Sequence, residues 1–550
     1  MKRLPLYVVL GLLLVAVAVP MSGGELGFGG GPAPSATTSA SAGSSTDVDT
    51  AASLPPRSAT PSASAPSPTA VPSAPPVSAA LADVLLVPVT QFRSTRTSTT
   101  RAEVAQVLAG TSTRYDAIEL VAADASAILG AVGVKRPANP TRLVLAKDAR
   151  TLTRHLAASR KRLAFLRADQ IDASVRALAW GKASLFGVGR VRTVAGWPLK
   201  ARLSVSTGTP AFDPANTWTL VSGGDIMLDR GVAQTLTIRG KGADFPFDGG
   251  RAAITSRYCC SSFGWRLPRT QRTGGAGTVR RLLHGADLAI ANFENPAPDK
   301  FRYHTSGTRF SADPRLIKGL ATAGIDWVGL ANNHIGDAGG AGLLQTIRNL
   351  RRYGIASSGA GKNIAAARKP AILKAGGVKV ALLAYDTIAA YYAAGATRPG
   401  SARLTAKVVK TDVRAARAAG ANVVIVFPHW GTEYDATPFP GQQALARAAV
   451  DAGADLVIGN HAHWAGAMEV YRGKPIWYAL GNFVFDQTWS ELTMEGITLE
   501  LTFRGKTLVQ ARMRPHIILD KAQPNLLDPA ADGRVVMGQV FDASKGLLPW

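Results

Sequence analysis

The stretch Ala421-Asn-Val-Val-Ile-Val-Phe-Pro-His429-Trp-Gly-Thr-Glu433-Tyr434, a helical run from Gln442 to Ala452, and then Asp455-Leu-Val-Ile-Gly459-Asn460-His461-Ala462-His463 decides the fold. Both apolar runs are short, β-branched and bounded by turn residues, the pattern of parallel strands buried on both faces. The run between them reads as the crossover helix. Each strand ends on histidine. Residues i and i+2 of an extended chain project to the same side, so His461 and His463 are expected to reach one metal cluster.

Three earlier stretches repeat the design. Trp218-Thr-Leu-Val-Ser-Gly-Gly-Asp225 and Asp287-Leu-Ala-Ile-Ala-Asn-Phe-Glu294 end on carboxylates, and Asp326-Trp-Val-Gly-Leu-Ala-Asn332-Asn333-His334 ends on two amides and an imidazole. In an open α/β sheet the ligand crevice lies beyond the carboxyl ends of the strands, so five such ends are expected to converge there. The set Asp225, Glu294, Asn333, His429, His461 and His463 is rich in nitrogen and oxygen donors and contains no thiolate. It suits manganese, iron or zinc, and is large enough for two divalent ions sharing a bridging carboxylate. His334, beside an amide that can ligate, is placed to serve as general acid. Asp337 has two roles open to it, orienting that ring or capping the next helix. Arg230, in Gly224-Asp225-Ile-Met-Leu-Asp229-Arg230, is either a bidentate grip on a substrate phosphate or a solvated surface base.

A chain of 550 residues exceeds one typical domain. Met1-Lys2-Arg3 followed by the apolar run Leu4 to Val19 reads as a secretory signal or signal anchor over 1–22, which places the rest outside the cytoplasm, membrane-anchored or secreted. Residues 23–80 are Ser, Ala, Pro and Thr with almost no large apolar side chain, the composition of an extended stalk. Residues 82–202 return to globular composition. Val84 to Thr90 and Leu143 to Ala146 read as strands, Arg101 to Leu108 as a helix and Thr151 to Phe165 as a basic amphipathic helix, hence a small α/β unit. Its phrases Val87-Pro-Val-Thr and Gly187-Val-Gly189 resemble pieces of periplasmic solute-binding proteins. The main α/β domain spans 215–519, with a long insertion, Arg251 to Gly277, expected to be a lid or a mobile loop. Residues 520–550 read as a tail.

The net charge of +25 falls entirely on residues 81–550, because residues 1–80 carry three bases and three acids. A basic folded portion favours anionic partners such as an envelope polymer. No RNP, KH or zinc-finger signature occurs, and nucleic acid is not an expected partner. The two cysteines, Cys259 and Cys260, are adjacent, which excludes a CxxC motif, and no disulfide framework is expected.

The phrases Gly224-Asp-Ile-Met-Leu-Asp-Arg230, Asn292-Phe-Glu294-Asn-Pro296, Ala331-Asn-Asn-His334-Ile-Gly-Asp337, His429-Trp-Gly-Thr-Glu433-Tyr434, Gly459-Asn-His461-Ala-His463 and Gly481-Asn482-Phe-Val-Phe485 resemble, in order, those of the CapA family of capsule (poly-gamma-glutamate) synthesis proteins. That family is similar to the calcineurin-like metallophosphoesterases, which implies a layered α/β sandwich. The resemblance further implies that Asp225 and His463 hold one metal and Asn333, His429 and His461 the other. Glu294 would bridge, and His334 would be the acid. Its implied setting is the cell envelope, with a phosphoester or an acidic polymer as substrate and membrane proteins of capsule synthesis as partners. A non-catalytic accessory that binds or exports an acidic polymer is the alternative. Two positions depart from the phosphoesterase pattern: Met227 stands where Asp-x-His is usual, and the bridging position is Glu294 rather than Asp.

Overall fold

Strand Thr217–Ile226 is buried along its whole length and runs through the middle of a ten-stranded mixed sheet. On one side its neighbours Leu288–Phe293, Trp327–Gly329 and Ala356–Ser358 are parallel. On the other, Glu495–Arg504, Thr507–Leu519 and Gln523–Leu526 follow in antiparallel succession. The short strand Asn482–Val484 joins alongside the carboxyl end of Thr217–Ile226. That approach requires glycine, because a Cβ on Gly224 would lie 1.9 Å from the Gly481 carbonyl oxygen.

A second sheet of six strands has the order Ala371–Ala375, Val378–Asp386, Val423–His429, Leu456–Ile458, Lys474–Trp477, Met468–Tyr471. The alternation along Val423–His429 explains why its sequence is apolar throughout. Val423, Ile425 and Phe427 face a core shared with Trp218, Leu220, Ile290 and Trp327 of the first sheet. Val424 and Val426 face outward onto helices Ala406–Ala418 and Pro440–Asp451. The first sheet does the same: Ala289 and Ala291 turn outward to helices Thr278–His284, Ile317–Thr322 and Gly339–Arg352. The result is a four-layer helix–sheet–sheet–helix sandwich. The five expected strands therefore do not share one open sheet. Three belong to the first and two to the second, and their carboxyl ends meet at one edge of the sandwich.

The computed structural model describes residues 79–206 and 210–547. The leader expected at 1–22 and nearly all of the linker expected at 23–80 lie outside the described residues. Among those described, no helix is long and apolar enough to cross a membrane.

Residues 79–206 form a six-stranded sheet of their own around strand Ala79–Gln91. The helix expected from Thr151 to Phe165 is instead Ala149–Ala158 followed by strand Arg162–Arg167. Leu152 and Leu156 do lie on its buried face, but Leu163, Ala164, Phe165 and Leu166 are all fully enclosed, which only an internal strand between two neighbours accomplishes here. This unit packs directly against the main domain. Val509 belongs to its core. Ala177 N–H donates to Gln510 Oε1 at 2.8 Å and Val188 N–H to Glu500 Oε1 at 2.7 Å. Arg190, 5% exposed, donates to Thr217 O at 2.7 Å and to Asp287 Oδ2 at 3.1 Å.

The stretch read as a tail is also structural. Gln523–Leu526 is a strand of the large sheet, and helix Gly533–Ala543 buries Val536, Met537 and Val540 in the core between the sheets. The insertion is an antiparallel hairpin, Arg251–Tyr258 with Leu267–Gly274, and Cys259 and Cys260 at its tip are bonded to each other, a link between sequence neighbours that ties no distant elements together.

Two outcomes test this packing. A Cβ at Gly187, where φ is +91°, would lie 2.6 Å from Glu500 Oε1, whereas nothing lies within 4 Å of one at Gly189. Gly187→Ala should cost about 2–4 kcal/mol in chemical denaturation and Gly189→Ala close to nothing. Glu495 is 1% exposed, and burial, reinforced by Glu491, pushes its carboxyl from 4.5 up to about 8. The folded chain therefore binds this proton more tightly than the unfolded chain does. Stability from this group is present below pH 4.5 and is lost as pH rises toward 8. The stability gain of Glu495→Gln over wild type should accordingly grow across that interval, as read from paired melts.

Candidate metal centre

Each site residue sits where a strand stops. Asp225 closes Thr217–Ile226, Glu294 follows Leu288–Phe293, Asn333 and His334 follow Trp327–Gly329, His429 ends Val423–His429, and His461 and His463 follow Leu456–Ile458. The structure brings all of them together. His429 Nε2 lies 2.8 Å from Asn333 Oδ1, 3.1 Å from His461 Nδ1 and 3.6 Å from Glu294 Oε1. His463 Nε2 lies 3.9 Å from the same Glu294 oxygen, and its Nδ1 lies 3.8 Å from Asp225 Oδ2. Two groups of donors result, Glu294 with His429 and His461, and Asp225 with Glu294 and His463, each with its ligand atoms within 4.8 Å of one another. Glu294 is common to both.

The two histidines after Leu456–Ile458 reach these groups by a route other than the extended geometry expected. His461 has φ of 94° and His463 of 56°, so the chain turns in the left-handed region at both. The turn sends His461 to the His429 side and His463 to the Asp225 side. His461 N–H anchors it by donating to Asp225 Oδ2 at 3.2 Å.

The donors fit a cation. Asp225 and Glu294 are 0% exposed, and among the described residues no N–H group donates to either oxygen of Glu294. Burial raises the Asp225 carboxyl to about 6; burial and then the neighbouring Asp225 raise Glu294 well above the carboxylate range. Burial holds His461 and His463 down at about 3 and His429 well below its usual value, so the imidazoles are neutral. Two enclosed carboxylates facing three unprotonated imidazoles, with an orphaned bridging pair of oxygens, is an arrangement that positive charge completes.

At the mouth, His334 is 9% exposed. Its Nδ1 lies 2.9 Å from Asp337 Oδ2, and its Nε2 is 4.0 Å from Glu294 Oε1. Asp337 thus orients the ring; the following helix has Ala338 as its cap, without a side-chain bond. Phe310 packs on His334 with centroids 4.2 Å apart. Arg230 is neither a solvated base nor a free clamp. Its side chain is 15% exposed and paired with Asp486, it donates to Gly307 O at 2.9 Å, and it stacks on Phe310 and Phe485.

Three supporting residues escaped the sequence reading. Asn292 Nδ2 donates to Asp225 Oδ1 at 2.7 Å and lies 3.2 Å from His429 Nδ1, tying the two sheets together. The Asn482 amide oxygen is 2.8 Å from His463 Nδ1, which directs Nε2 toward Glu294. Asp229 accepts from the N–H groups of His304 and Ser311 at 2.9 and 2.8 Å, holding the loop that carries Phe310. Asn292 was legible in principle, since it precedes Glu294 by two residues on the same strand.

Residues 219–487 match the family described as bacterial capsule synthesis protein PGA_cap. The capsule biosynthesis protein CapA of Bacillus anthracis is 34% identical over 279 residues, 49% of this chain and 67% of that one. A probable polyglutamine synthesis accessory protein of Mycobacterium tuberculosis is 31% identical over 338 residues, 56% of this chain and 82% of that one. The chain belongs to the CapA capsule-synthesis family. Among solved structures, the calcineurin-like phosphoesterase YfkN of Bacillus subtilis is similar at 13% identity and a TM-score of 0.33, over 60% of this chain and 97% of that one. Within this family member, Met227 lies in the apolar core beside Val232 and Leu236, and its sulfur accepts the Asp229 N–H at 3.0 Å. Position 227 therefore adds no donor to the Asp225 group.

Glu294→Met should lower divalent-ion content per chain in elemental analysis. In chelator it should also melt higher than wild type, by about 1–3 kcal/mol, because an unpartnered buried carboxyl has been replaced by an apolar group of similar shape. Unchanged metal content would rule out the bridging role.

Proposed function

We propose that this family member is exported, acts on an anionic polymer or its phosphoester precursor at the cell envelope, and uses a two-cation centre for phosphoester hydrolysis. The observation that carries the reading is Glu294, with both oxygens enclosed and unpartnered between two donor groups. Asp225 and His463 would hold one ion, Asn333, His429 and His461 the other, and Glu294 both. The donor set is nitrogen and oxygen, which suits manganese, iron or zinc. Bound ions would supply Lewis acidity, acidifying water and neutralising charge on phosphoryl oxygens.

The remaining steps fall to the chain. With Nδ1–H given to Asp337, His334 turns Nε2 toward the donors, 3.1 Å from Asn333 Nδ2 and 4.0 Å from Glu294 Oε1; a substrate's leaving oxygen would displace the Asn333 contact and take the proton of the charged ring. Arg230, ion-paired with Asp486, packs its guanidinium over the buried rings of Phe310 and Phe485, and Phe310 in turn packs on His334. A chain of aromatic contacts links the hairpin tip to the donors: Trp265 meets Trp464 and Trp489, and Trp489 meets Tyr434, which stacks on His463.

The test is elemental analysis of the full chain alongside hydrolysis of a generic phosphodiester. Wild type should carry about two ions per chain. His463→Ala should lose metal and activity together. His334→Ala should keep its metal while kcat falls about 10²–10⁴-fold. A folded, metal-free and inactive wild type would end the enzyme reading. The charge of +25 then favours a polymer-binding accessory, whose affinity for polyglutamate should fall with salt.

A further inference from the structure

Positive charge is concentrated away from the metal centre as well. Between the small unit and the large sheet lies a cavity of about 700 Å³, faced by Arg176, Arg251, Arg512 and Arg514. None of the metal-centre donors lines it. Arg176 projects from strand Val175–Ala177 of the small unit; Arg512 and Arg514 come from Thr507–Leu519, and Arg251 opens the hairpin.

Negative charge does not match this. Asp528 is exposed at the rim, and Glu500 lies enclosed beneath. Glu500 already accepts from Arg514 at 2.9 and 2.7 Å and from Val188 N–H at 2.7 Å, with Arg512 at 3.7 Å. Arg512 also donates to Phe186 O and Ser184 Oγ, both at 3.1 Å. Arg176 is different. It is 5% exposed, its Nε donates to the Arg96 carbonyl at 3.2 Å, and among the described residues no carboxylate pairs with it. Arg251 has none either among the described residues.

Burying a guanidinium with no carboxylate in contact is costly; the enclosed Glu500 attracts it only from beyond ion-pair distance, and Arg512 and Arg514 repel it. Burial first, and then those two neighbours, bring the Arg176 guanidinium down to about 9. Guanidinium forks match the geometry of carboxylate and phosphate, and four of them against two carboxylates leave a net positive cavity of ligand-binding size.

We propose that this cavity binds a small, multiply charged oxyanion, its phosphoryl or carboxylate groups held by Arg176, Arg251, Arg512 and Arg514, at a site separate from the metal centre. The ligand bridges the small unit and the large sheet, so its binding also stabilises the fold. The proposal does not depend on the metal centre being catalytic.

The test is calorimetric titration of the full chain with pyrophosphate and with tricarballylate at ionic strength matched with chloride. Running it in the His463→Ala background keeps pyrophosphate at the metal centre from contributing. One site per chain is expected. Arg176→Gln should weaken it at least tenfold and Arg251→Ser about three- to tenfold, while both variants in the wild-type background keep metal content and hydrolysis. Binding of pyrophosphate alone assigns a phosphorylated ligand, and binding of tricarballylate alone a polycarboxylate. Absence of binding to either probe, or binding undiminished in the variants, overturns the proposal. Arg251 is exposed, so its variant decides the matter if Arg176→Gln does not fold.

Discussion

The rest of the structure depends on one packing constraint: two sheets, each apolar on both faces, must bury their inner faces against each other. Trp218, Ile290 and Trp327 on one side meet Val423, Ile425 and Phe427 on the other. Burial of side chains of this size contributes roughly 1.5–3 kcal/mol each. Once the inner faces are matched in this way, the strand ends of both sheets fall along one edge. The donors are therefore brought together by apolar surface far from them, and Asn292, bonded across to both Asp225 and His429, is the polar stitch at that edge.

Much of this was legible in the sequence because strands buried on both faces leave an unbroken apolar run ending sharply on a polar residue. Thr217–Ile226, Leu288–Phe293, Val423–His429 and Leu456–Ile458 all read that way, and each terminal donor is found in the cluster. Their division between two sheets was not legible. Val423 and Val424 are chemically identical, yet one faces the shared core and the other an outer helix, and only the partner surface distinguishes them. The left-handed turn at His461 and His463 was hidden for a related reason: it is held by Asp225, 236 residues away.

The other misreadings share a cause in long-range contact. The last thirty residues lack a strong local period, but Gln523–Leu526 needs only Thr507–Leu519 beside it to become a strand. Leu163 to Leu166 continue the helical register of Leu152 and Leu156, and the two flanking strands override it. The bonds of Val188 to Glu500 and of Arg190 to Asp287 join residues 312 and 97 apart, so the integration of the small unit left no local trace.

The positive φ values at His461 and His463 set fold and chemistry in competition at a single turn. Glycine or asparagine would relieve the backbone at either position, and a screen for thermal tolerance would select those replacements early. Each would remove a donor. The turn is thus a point at which random improvement of the scaffold erodes the centre, and a chain drifting without demand on its metal site should lose these two imidazoles before the buried carboxylates.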